Sequence, residues 1–137
     1  MKTLKTALLV LAFTLVGFGA MTAQNNKVKG PKIEFNDLIY DFGTITVGDK
    51  GEFEIGFKNG GTEPLLLQNV QGCCGTSVLD YTKEPVMPKK SGFIRVKIYT
   101  GGVAAVISKV ITINSNDPAD PTVRLTLKGA IKAKEAE

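Results

Sequence analysis

The chain has 137 residues, 43% of them hydrophobic, with two cysteines and with no histidine or tryptophan; 17 basic against 13 acidic residues give a net charge of +4. Without histidine there is no Ser–His–Asp triad, no Cys–His nucleophile pair and no imidazole-based zinc or copper site. Two cysteines cannot complete a four-cysteine metal site, no glycine-rich loop has phosphate-binding spacing, and the basic residues are too scattered for a nucleic-acid stripe.

Lys2 and Lys5 precede a charge-free block, ALLVLAFTLVGFGA, at 7–20. As a helix it would span roughly 21 Å, short of the roughly 30 Å hydrocarbon core. This is the form of a secretory signal peptide over residues 1–23, cleaved after Ala23. No cysteine follows the block to carry a lipid, so the expected location is the periplasm, the medium or the cell surface. With Lys2 and Lys5 removed, 17 basic residues become 15 against 13 acidic, a charge of +2. The remainder is the size of one domain and large enough to build a core without staples. Polar residues 24–31 are expected to be a disordered leader, 32–131 a single domain, and the charged KAKEAE at 132–137 a disordered tail.

From Lys32 onward the hydrophobic period is two. GEFEIGFKN (51–59) sets Phe53, Ile55 and Phe57 against Glu52, Glu54 and Lys58. GFIRVKIYT (92–100) alternates Ile94, Val96 and Ile98 with Arg95 and Lys97, and TVRLTLKG (122–129) alternates Val123, Leu125 and Leu127 with Arg124, Thr126 and Lys128. Half-buried strands produce this pattern. PLLLQNV (64–70) and AVISKVITI (105–113) are more continuously apolar and are expected to be central strands. Turn signals punctuate the runs at Gly48–Gly51, Asn59-Gly60-Gly61, Pro88–Gly92, Gly101-Gly102 and Asn116-Asp117-Pro118. Counting the runs predicts an all-β fold, a two-sheet antiparallel β-sandwich of about seven strands.

YDFGTITVGDKGEFEIGFKNGGTEPLLLQNV, then a Cys/Gly loop, KEPVMP, INSND and a closing LTLKGAI resemble the bacterial domain-of-unknown-function family 1573. The resemblance covers roughly residues 33–131, and Tyr40-Asp41-Phe42-Gly43 and KNGGTEPL are its most specific parts. It implies an exported immunoglobulin-like domain, similar to the Hydin-type and major-sperm-protein-type sandwiches, without assigning a biochemical role. That family commonly carries Cys-Gly-Cys-Thr in the loop. Here Cys74 and Gly75 match its first two positions, Thr76 stands at the second cysteine, and Cys73 precedes the motif. No role of the family's Cys-x-Cys pair carries over intact.

The adjacent Cys73 and Cys74 are the candidate site residues, and three readings stand side by side. They are two free thiols filling a turn, a strained vicinal disulfide, or thiols serving a soft metal or an intermolecular bond. Neighbouring Cα atoms sit about 3.8 Å apart, against the 4.4–6.8 Å usual for disulfides. Copper(I) suits a dithiol, but Met87 is the only thioether left after cleavage. The aspartates at 37, 41, 49 and 80 fall at turns, where the side chain bonds its own backbone, and form no acid–base pair. The expected function is an exported immunoglobulin-like binding or structural module, not an enzyme, with no catalytic residue and no cofactor. Its expected partner is a protein or cell-surface component, with no nucleic acid and no membrane span after cleavage. The alternative is a periplasmic thiol or copper(I)-handling protein using Cys73 and Cys74.

Two measurements check this reading. N-terminal sequencing of native material should begin near Gln24, and an intact Met1–Lys5 segment would overturn the export assignment. The Cys73→Ser/Cys74→Ser double variant should melt within a few degrees of the parent, with or without reductant, because a two-residue ring removes almost no unfolded-chain entropy.

Overall fold

The computed structural model describes residues 29–136, so the expected signal peptide and its cleavage site lie outside the described residues. Eight strands follow one another: β1 (Ile33–Glu34), β2 (Ile39–Thr46), β3 (Gly51–Asn59), β4 (Leu67–Gly72), β5 (Thr76–Tyr81), β6 (Ser91–Ile98), β7 (Ala105–Ser115) and β8 (Thr122–Lys132). They form two four-stranded sheets, ordered β1-β3-β6-β5 and β2-β8-β7-β4. This is an immunoglobulin-like β-sandwich, with one strand more than the run count because β1 is only two residues long. The pairing is antiparallel except between β2 and β8, which run parallel. No helix among the described residues is long and apolar enough to cross a membrane.

The period-two runs become strands with the expected faces. β3 and β6 pair over eight consecutive positions, from Gly51 opposite Ile98 to Lys58 opposite Ser91. Ile55, Phe57, Ile94, Val96 and Ile98 therefore face inward, where they meet Leu125 and Leu127 of β8 and Ile111 and Ile113 of β7 in one core. On the outer face the same register sets Glu52 opposite Lys97 and Glu54 opposite Arg95. Arg95 donates to Glu54 at 2.8 Å, and Lys97 lies 3.9 Å from Glu52. Each such pair adds roughly 0.2–1 kcal/mol to the sheet.

Phe53 is only half-buried, although its phase predicts a core position. It lies on the open side of the sandwich, where the Phe42 ring stacks on it at 5.0 Å and Tyr40 tilts against it at 6.1 Å. The Phe42 ring in turn lies over Gly129, where a Cβ would collide with it, so β8 admits no side chain there.

The apolar run 105–113 becomes β7, which is central as expected, while the run 64–70 does not become a central strand. β4 is an edge strand, and the apolarity of that run serves Leu65 and Leu67, both buried, with Leu65 in an isolated bridge to Val86. The ends also differ from expectation. Gly30 and Pro31 are buried, Gly30 N–H donating to Thr62 Oγ1 at 3.0 Å and Thr62 N–H to Gly30 O at 2.8 Å, and β8 runs on to Lys132.

Two turn-marking residues prove to be core polar groups. Asn59 is fully buried: its Nδ2 donates to Glu63 O and Val86 O at 2.7 and 2.8 Å, and its Oδ1 accepts from Gly61 and Lys32 N–H. Asp117 is 1% exposed and accepts from Ile33, Ala119 and Asp120 N–H.

The strand phase is tested by a pair of substitutions. Phe57→Ala should cost roughly 3–5 kcal/mol, whereas Glu54→Ala, losing one exposed ion pair, should cost under about 1 kcal/mol. Urea unfolding that gives equal losses would place β3 one residue out of register.

Candidate functional site

Cys73 leaves β4 directly after Gly72, and the chain reverses over four residues. Thr76 N–H donates to Cys73 O at 3.0 Å, with φ of +42° at Cys74 and +84° at Gly75. Positive φ at both central positions makes a primed β-turn, which here carries the chain from one sheet to the other. Gly75 occupies such a conformation at little cost; a cysteine there is uncommon.

The turn seats Cys73 against β7. Cys73 N–H donates to Val110 O at 3.2 Å, and Val110 N–H donates back to Cys73 Sγ at 3.5 Å. In a straight strand the neighbouring thiol would point away; the turn relaxes that alternation at Cys74. Both cysteines are free, Cys73 half-buried and Cys74 exposed. The Val110 N–H first, then the Cys74 thiol, hold the Cys73 thiol below its ordinary pKa; the Lys109 ammonium adds to this and burial opposes it. The last residue of the turn, Thr76, is 8% exposed, and its Oγ1 is the one buried side-chain polar atom without a partner among the described residues.

No group of three or more Cys, Asp or Glu side chains is placed to share a metal ion among the described residues. The aspartates bind local backbone: Asp37 accepts from Ile39 N–H, Asp41 from Gly43 N–H, Asp49 from Thr46 N–H and Asp80 from Tyr81 N–H. The structure gathers none of them into a pair with the cysteines.

A second feature was not evident in the sequence. The sandwich has four edge strands, β1 and β5 in one sheet and β2 and β4 in the other. Three carry register shifts: β2 between Asp41 and Thr44, β4 between Leu67 and Asn69, and β5 between Val78 and Asp80. Such bulges bend an edge away from further pairing. The fourth edge is different. β1 covers only Lys58 and Asn59 of β3, and the chain then crosses to the other sheet. From Gly51 to Phe57, β3 has β6 on one side, in unbroken register, and no ladder partner on the other among the described residues. A groove bordered by Glu34, Phe35, Leu38, Lys58 and Arg124 lies at that crossing. The only sequence signal for this edge is the early break of the first strand at Asn36-Asp37.

Known proteins place this geometry. A protein of unknown function from Porphyromonas gingivalis W83 has a TM-score of 0.63 at 22% identity, covering 75% of this chain and 48% of that one. The secreted serine protease VesC from Vibrio cholerae has a TM-score of 0.55 at 14% identity, covering 79% of this chain and 24% of that one. The chain thus spans about half the length of the first and a quarter of the second, and the likeness is one of fold. No curated protein matches the chain in sequence. The family model described as "Protein of unknown function (DUF1573)" matches residues 33–131, the whole of the sandwich but the last residue of β8, and the chain belongs to that family.

Proposed function

We propose that this protein is an exported, non-catalytic binding module that holds an extended segment of a partner polypeptide by strand addition along Gly51–Phe57 of β3. The observation that carries this reading is the contrast between the edges: three are bulged, and the β3 edge is regular and vacated by its neighbour after two residues. An added strand there would take affinity from main-chain hydrogen bonds and specificity from alternate side chains. The charges along β3 oppose this little. Glu52 and Glu54 already face Lys97 and Arg95, so neither is an unanswered charge guarding the edge. The rings of Tyr40, Phe42 and Phe53 offer an apolar floor beside it. Export is supported by the charged start and the short apolar block. The non-catalytic character rests on the lack of histidine and on aspartates engaged with their own backbone.

Hydrogen exchange on the mature protein tests the edge. In the free protein, alternate amides between Gly51 and Phe57 should exchange fast while those of β6 stay protected, since β6 is paired on both sides. With a partner recovered from the native envelope fraction, those same β3 amides should become protected. Protection confined to another edge, or to the loops, would refute strand addition at β3.

A further inference from the structure

We propose that Cys73 is a modification site: a nucleophilic thiol, held by the Val110 N–H, that takes up one half of a low-molecular-weight disulfide and keeps it as a mixed disulfide. The assignment is independent of the strand edge. It starts from two sulfurs in one turn with unequal surroundings. Cys73 Sγ receives the Val110 N–H at 3.5 Å, a donor that stabilises negative charge on that sulfur. Cys74, by contrast, is exposed. The titratable groups facing Cys73 are Cys74 on its own turn and Lys109 on β7, and the segment after β6 reaches the turn through Tyr99 N–H to Gly75 O at 2.9 Å. The Cys74 thiol and the Lys109 ammonium act in the same direction as the Val110 N–H at Cys73, and half-burial leaves it open to a small reagent.

The exchange balances without another oxidant. The Cys73 thiol gives its proton to water, its thiolate attacks one sulfur of the small disulfide, and that S–S bond breaks as the new one forms. The other half departs as a thiolate. Cys73 is oxidised to the disulfide level while one small thiol is released by reduction. The usual second step, attack by a neighbouring thiol to expel the adduct, is hindered here. Cys74 follows directly in the chain, and the ring it would close spans Cα atoms about 3.8 Å apart. The adduct is therefore retained.

The reduced, full-length exported protein is treated with glutathione disulfide across a pH series and followed by intact mass and peptide mapping. The wild type should gain one adduct, at Cys73, with a rate midpoint below that of an ordinary thiol. Cys73→Ser should slow adduct formation roughly tenfold or more. Cys74→Gly tolerates the positive φ and should still take the adduct at Cys73. First addition at Cys74, no adduct at Cys73 in Cys74→Gly, or conversion of the wild type to an internal disulfide without adduct would each overturn the proposal.

Discussion

The buried amide of Asn59 is the interaction on which the rest of this sandwich depends. Its four hydrogen bonds reach the start of the first strand at Lys32, the turn at Gly61 and Glu63, and the returning segment at Val86. Its backbone adds two more, donating to Lys90 O and accepting from Lys89 N–H. Each group left unsatisfied in the interior would cost about 1–3 kcal/mol, and no apolar side chain of similar size could meet all four. Asp117 does the corresponding work from the opposite sheet: its carboxylate holds Ile33 N–H while it closes its own turn through Ala119 and Asp120. Two side chains from different sheets thus grip the same short strand.

That grip has a consequence for the edges. With Lys32 tied to Asn59 and Ile33 tied to Asp117, the first strand is held to both sheets at once, and past Glu34 the chain continues into the second. β3 is left uncovered along most of its length. The seam on that side is filled by rings rather than by backbone, Phe42 and Tyr40 against Phe53. Side chains fill this gap without using the main-chain groups of β3, so the core is closed while the edge is not.

Much of this could be read from residue order. Alternation at 51–59 matches the bounds of β3 and its faces apart from the half-buried Phe53, and the faces of 92–98 and 122–128 follow from the same rule. Alternation is local, and what was missed is not. β4 reads as central because Leu65, Leu66 and Leu67 are contiguous, yet Leu65 is buried by a bridge to Val86, distant in the chain. Val106 is 88% exposed within an apolar run because, in unbroken register with β8, it has the parity opposite to the buried Ile111 and Ile113 and so lies on the outer face of β7. Asn59 and Asp117 read as turn formers, which they are; their burial depends on partners 27 and 84 positions away. At the cysteines, the flanking Gly72 and Gly75 make the turn legible, but the Val110 donor comes from a strand 37 residues on.

The parallel pairing of β2 with β8 also sets how the domain answers to tension. Ile39 lies opposite Thr126 and Thr46 opposite Lys132, with Val47 N–H donating to Lys132 O at the far end. Because the two strands point the same way, a pull entering ahead of Ile39 and leaving beyond Lys132 acts along their common axis and in opposite senses on each. The cross-strand bonds are then loaded together in shear, rather than opened one by one as they would be at the end of a hairpin. Before that load arrives, it must strip the two-residue β1 from Asn59 and Asp117. Under such a load the β1 attachment would yield first, and the β2–β8 pair would resist second.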